Sequence, residues 1–235
     1  MTTIFEPQAT VLVKPSPIAM ISVDLLQVIA ARGTGLEQWV EPLRAACTRA
    51  EINTIRRVAS FLANIAVECG FKPRAENLNY SVEGLRTTFG RHRISAEDCA
   101  RFGRSSAHPA DQEAIANCIY GGEWGRINLG NLRPGDGWLM RGVGPLQVTG
   151  RANMEAFARF MGMTLTNALS YARTLEGGVM SAAWFWESHD VNRLADTPGV
   201  ADEVHRINGG ENGLAQRTAN FNALVARMLK MEQGQ

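Results

Sequence analysis

A chain of 235 residues, 45% of them hydrophobic, can bury a sizeable core and points to one domain or at most two. Its 24 Lys and Arg against 23 Asp and Glu leave a formal charge of +1, which excludes the basic footprint of a nucleic-acid binder. Cys47, Cys69, Cys99 and Cys118 form no CxxC pair and lie too far apart for a short metal motif, so a reduced compartment is expected.

In chain order, residues 1–20 carry Pro7, Pro15 and Pro17 and no helical period, and residues 1–35 as a whole read as an N-terminal arm or irregular lead-in. A single domain is expected over residues 36–235. The opening MTTIFEPQATVLVKPSP has acid and proline where a signal peptide would have basic residues and an apolar run, and PIAMISVDLLQVIAA is broken by Asp24. No segment approaches the roughly 20 apolar residues of a membrane span. The expectation is a protein made in the cytoplasm.

Helical spacing predicts helices over Val23 to Ala31 and Gln38 to Arg49, broken by Gly33 and Gly35. The clearest helix runs from Ile52 to Cys69, where Ile55, Val58, Phe61, Leu62, Ile65 and Cys69 fall on one stripe and Gly70 and Pro73 form the stop. Further helices are predicted at Ser81 to Phe89, Ala110 to Tyr120, Asn153 to Met161, Gly178 to Glu187 and Leu214 to Met231. Strand-like alternation is nearly absent. Gly121 to Gly150, rich in glycine and containing Pro134 and Pro145, reads as a long ordered loop or a short hairpin of the kind that carries function.

Two carboxylates stand out. On a helical wheel with Phe61 at zero, Glu68 falls at about −20°, at the border of the buried stripe. It also sits in the last turn, where the negative helix end and partial burial both disfavour ionisation and are expected to raise its pKa. A carboxyl kept protonated near neutrality is what a general acid for glycosidic cleavage requires. Glu76 follows eight residues later in AENLNYS, an exposed irregular run in which a solvated carboxylate stays ionised. Such a pair could divide acid and base work across a cleft, although two Glu this close also arise by chance.

Other schemes have less support. His92, His108, His189 and His205 show no HExxH or other ligand spacing, and GxSxG is absent. GVGPLQVTG follows no βαβ strand and has no GKS or GKT ending, so it is not a phosphate loop.

Several segments in the same order resemble glycoside hydrolase family 19, the chitinase-like enzymes, and in particular its phage and bacterial endolysin branch. FLANIAVECGF is similar to the family's catalytic helix, which reads FLAQ, an apolar pair, then HESGGF. AENLNYS resembles ENLNYS, and GDGWLMRGVGPLQVTGRAN resembles GDGWKYRGRGPIQLTGRANY. AAWFW and RINGGENG resemble two later family segments, so the likeness runs from about Ile52 to Arg217. The sequence departs from the pattern at Val67 (usually His), Cys69 (usually Ser), one missing Gly, Val143 (usually Arg) and Met154 (usually Tyr).

The resemblance implies a mainly α, lysozyme-like, two-lobed fold with a catalytic cleft and at most a small hairpin. It implies that Glu68 is the proton donor and that Glu76, assisted by Thr149, holds the attacking water of an inverting mechanism. Gln147, Asn153 and Asn208 are implied to hydrogen-bond the sugar or its N-acetyl group, with Tyr80 and Arg217 as further cleft residues. Trp124 and Trp138 are candidates for sugar stacking or for packing. No metal or organic cofactor is implied, and a monomer is expected. The implied substrate is peptidoglycan, cut at β-1,4 linkages after release or delivery to the cell wall. Two other readings stay open: a chitinase acting on N-acetylglucosamine polymers, and a non-catalytic glycan-binding relic of the same scaffold.

Overall fold

The apolar stripe read between residues 52 and 69 folds as the central helix of a computed structural model that describes residues 14–72 and 76–235. In chain order the helices are α1 (Val23–Gln27), α2 (Glu37–Arg49), α3 (Ile55–Cys69), α4 (Val82–Thr88), α5 (Ala96–Phe102), α6 (Gln112–Ile119) and α7 (Gly122–Leu129). They continue with α8 (Asp136–Leu139), α9 (Arg151–Met161), α10 (Leu165–Ala172), α11 (Leu175–Ser188), α12 (Val191–Ala195), α13 (Ala201–Asn208) and α14 (Leu214–Glu232). Among the described residues there is no strand, only isolated bridges pairing Ser81 with Arg104 and Val143 with Val148.

Local chemistry sets the limits of α3. The Thr54 hydroxyl accepts the Arg57 N–H at 3.2 Å and so caps its N-terminus. Gly70 ends it in the left-handed conformation at φ 58°; the other expected stop, Pro73, lies outside the described residues. Val58, Phe61, Leu62 and Ile65 are wholly buried, and Phe61 meets Trp186 of α11 edge-on with centroids 5.3 Å apart. α14 packs along α3, α11 along α2, and α9 and α10 also pack against α11.

Two apolar clusters result. The larger joins α1 to α3 with α9 to α14. The smaller is built from Leu78, Leu85, Ile94, Cys99, Ile115, Ala116 and Ile119, carried largely by α4, α5 and α6. The fold is thus mainly α, with the two lobes that the lysozyme-like expectation calls for. The described part of the expected lead-in is built into the larger cluster: Met20, Ile21, Leu25 and Leu26 are buried there, and α1 contacts α14. Residues 1–13 lie outside the described residues.

The glycine-rich stretch is more regular than its composition suggests, since it contains α7 and α8 before the Val143 to Val148 bridge. Polar contacts order it. The buried Arg151 guanidinium grips the Asp136 carboxylate through Nη2 at 2.5 Å and Nε at 2.8 Å. Asp136 also accepts the Leu132 and Arg133 backbone N–H groups at 2.9 Å. Burial pushes the Asp136 carboxyl up, but these bonds together with the Arg151 charge hold it below the usual carboxylate range. Asn131 completes the tie, accepting from the Arg151 N–H and donating to the Tyr120 carbonyl, both at 2.8 Å.

Candidate active site

Between the lobes lies a cleft of about 560 Å³. Glu68 reaches it from the last turn of α3, and Glu76 from the irregular chain before α4. Tyr80 and Gln147 line the same cleft, together with Arg141, Gly142 and Arg173.

Glu68 is one-quarter exposed, at the edge of the apolar stripe. One partner comes from far along the chain: Arg217 of α14 donates through Nη2 to Glu68 Oε1 at 2.5 Å. Arg217 is itself 3% exposed, so the structure sets it beside the acid rather than on the open wall. Its Nη1 donates to Asn64 Oδ1 at 2.6 Å, and the Asn64 amide donates to the Ser60 carbonyl at 2.9 Å. The Ser60 hydroxyl donates to Glu203 on α13. Ser60, Asn64 and Glu68 are spaced by four residues, so they form a polar seam along one edge of α3. Glu203 at its far end is 1% exposed, and its Oε2 has no hydrogen-bond partner among the described residues. Burial pushes its pKa up to about 7, against the opposing pull of the Ser60 hydrogen bond and the Arg56 and Arg217 charges.

Glu76 sits in a different environment. The sequence predicts a solvated carboxylate; the structure shows a half-buried one held by two donors. The Tyr120 hydroxyl donates to Oε1 at 2.5 Å and the Gly142 N–H to Oε2 at 2.6 Å. Burial, the Glu76 charge and the hydrogen bond to it push the Tyr120 hydroxyl well above its usual range, so it remains a proton donor in that bond. Gly142 has a steric reason as well. A Cβ at this position would come within 2.5 Å of Gln147 Oε1 and 3.3 Å of Glu76 Oε2, crowding both side chains.

The remaining expected residues divide. Thr149 and Asn153 are not among the lining residues: the Thr149 hydroxyl donates to the Gln147 carbonyl at 2.9 Å, and the Asn153 amide donates to the Thr149 carbonyl at 2.8 Å. Both therefore brace the loop that presents Gly142 and Gln147. Asn208 donates to the Asn212 carbonyl at 3.1 Å and holds the turn between α13 and α14. Trp124 and Trp138 are each covered by a guanidinium, Arg93 at 3.7 Å and Arg141 at 3.6 Å from the ring centroids. Among the described residues no group of His, Cys, Asp or Glu clusters as a metal site would need, and no helix is long and apolar enough to cross a membrane.

Sequence reasoning passed over Tyr120, Gly142 and Glu203. The signal for Glu203 was the Ser60 and Asn64 spacing, two polar residues on a helix whose other buried positions are apolar. Three of the family departures are buried. Cys69, Val143 and Met154 are 6%, 5% and 0% exposed; Met154 is packed away in the core, whereas Cys69 and Val143 contribute to the cleft wall.

Helical lobes around a cleft with paired carboxylates are the features of a glycoside hydrolase. No family model matches the chain. A glycosyl hydrolase family 19 domain-containing protein of Haemophilus influenzae strain Rd is 35% identical to it over 168 residues, spanning 71% of this chain and 78% of that relative. The chain belongs to glycosyl hydrolase family 19.

Proposed function

We propose that the protein hydrolyses the β-1,4 linkages of peptidoglycan by an inverting acid/base mechanism. The observation that carries this reading is that Glu68 and Glu76 line one cleft while being held by separate and dissimilar donors. In this reading Glu68 protonates the leaving glycosidic oxygen, and Arg217 both fixes its direction and stabilises the carboxylate left behind. Glu76, oriented by Tyr120 and Gly142, takes a proton from a water attacking the opposite face of the sugar, which requires carboxyls about 6.5 to 9.5 Å apart. Thr149, off the cleft wall with its hydroxyl on the Gln147 carbonyl, is assigned to the loop and not to that water. Gln147 and Tyr80, on the cleft wall, are assigned to the sugar, and Asn153 and Asn208 to holding the loops around it. Peptidoglycan is placed ahead of chitin because Lys72, Arg141 and Arg173 also line the cleft, and its strands, unlike chitin, carry carboxylates.

The test is digestion of purified sacculi and chitin oligomers side by side, with mass spectrometry of the products, by the parent and by Glu68→Gln. The variant keeps the shape but has no proton to transfer, and turnover is expected to fall by roughly 10² to 10⁴. A folded Glu68→Gln protein that works as fast as the parent refutes the mechanism. A parent that cuts chitin alone is a chitinase, and one that binds glycan without cutting it is the relic.

A further inference from the structure

Two arginines on the cleft wall are not used by the acid/base scheme. Arg141 lies over the Trp138 ring and donates through Nη1 to the Trp138 carbonyl at 2.8 Å. Arg173, at the end of α10, donates through Nη2 to the next carbonyl, that of Leu139, also at 2.8 Å. Two guanidinium groups are thus anchored on adjacent carbonyls at the end of α8, facing the same cleft as Glu68 and Glu76. The two like charges oppose each other: burial and the Arg173 charge both lower the Arg141 pKa from its usual value, against the weaker pull of Glu76 and Glu113. Among the described residues neither arginine is in an ion pair, unlike Arg151 and Arg217, which each grip a carboxylate. A guanidinium has five N–H donors, and the bonds above use one on each. Holding two cations together beside a substrate cleft is unfavourable until an anion arrives between them.

We propose that Arg141 and Arg173 form a carboxylate-binding subsite that selects an anionic amino-sugar glycan over a neutral one. This rests on the peptidoglycan reading above and deepens it. The carboxylate has two sources on such a glycan, the lactyl ether of the sugar and the peptide stem attached to it. A planar, bidentate donor fits either. The Trp138 ring beneath Arg141 restricts the guanidinium, so less freedom is lost when the anion binds.

The experiment measures binding in the Glu68→Gln background, where no turnover interferes. Calorimetry is run with three tetrasaccharides: N-acetylglucosamine tetramer, a peptidoglycan fragment with its peptide stems, and the same fragment after the stems are removed to leave free lactyl carboxylates. Adding Arg173→Gln is expected to weaken the carboxylate-bearing fragments about tenfold, as for a charge-assisted hydrogen bond at a partly exposed site, and to change the neutral tetramer by less than about twofold. Arg141→Lys, which keeps the charge but not the planar fork, is expected to give an intermediate loss. Weakening confined to the fragment with stems assigns the stem carboxylate, and weakening confined to the stripped fragment assigns the lactyl group. Equal weakening of all three ligands, or none, overturns the subsite. Failure of Glu68→Gln to bind any of them, with no hydrolysis by the parent, overturns the peptidoglycan reading itself and the subsite with it.

Discussion

Replacing Glu203 with Gln tests the buried seam most directly. The Glu203 carboxyl has an ordinary value of 4.5 and is pushed up to about 7 in the fold by burial. Below pH 4.5 both the folded and unfolded chains hold the proton, and stability is independent of this group. Between 4.5 and about 7 the unfolded chain has released the proton and the folded one has not, so each pH unit lowers stability by 1.36 kcal/mol. Above 7 both forms are ionised and the loss is complete, at roughly 3 kcal/mol. Gln cannot titrate, so Glu203→Gln removes this slope whatever constant offset its amide introduces. Urea unfolding of the parent and the variant from pH 4.5 to 8 is the assay. The parent is expected to lose stability relative to the variant by roughly 3 kcal/mol across that range. Parallel pH curves for the two proteins would show that Glu203 is not titrating in a dry site, and the account of the seam would fail.

Tyr120→Phe deletes the hydroxyl that holds Glu76 at 2.5 Å; a hydrogen bond to a charged group is worth about 1.5 to 3 kcal/mol, so turnover should drop at least tenfold and the melting temperature should fall by roughly 3 to 10 °C. Unchanged kinetics would mean that Gly142 alone orients Glu76. Asp136→Asn leaves the 8% exposed Arg151 side chain with only the looser Glu155 carboxylate at 3.4 Å, and breaking a buried pair from one side costs about 3 to 5 kcal/mol. Scanning calorimetry should show a melting temperature lowered by about 10 °C, and a shift under about 2 °C would mean that the pair contributes nothing net.

The local parts of this architecture were legible in the sequence because their causes are local. The period of Ile55, Val58, Phe61, Leu62 and Ile65 names both α3 and its buried face, and the same wheel sets Glu68 at the edge where it is found. The partners of Glu68 and Glu76 were not legible, because Arg217 and Gly142 stand 149 and 66 residues away and nothing in the local run encodes the contact. α7 was hidden for another reason. Its glycines read as loop, yet Gly125 is small because a Cβ there would sit 1.9 Å from the Tyr120 carbonyl, a close approach that only the folded chain defines. Helices α5, α10, α12 and α13 are five to eight residues long, too short for a period to rise above chance.

The division of the interior into two clusters bears on how the site is lost. Glu68 is anchored through Arg217 to the larger cluster, whereas Glu76 is held by Tyr120, which packs on the smaller one. Opening of the smaller cluster alone would separate the two carboxyls and leave most helices intact. Heat inactivation should therefore run ahead of helix melting, with activity returning on cooling as long as the larger cluster has stayed closed.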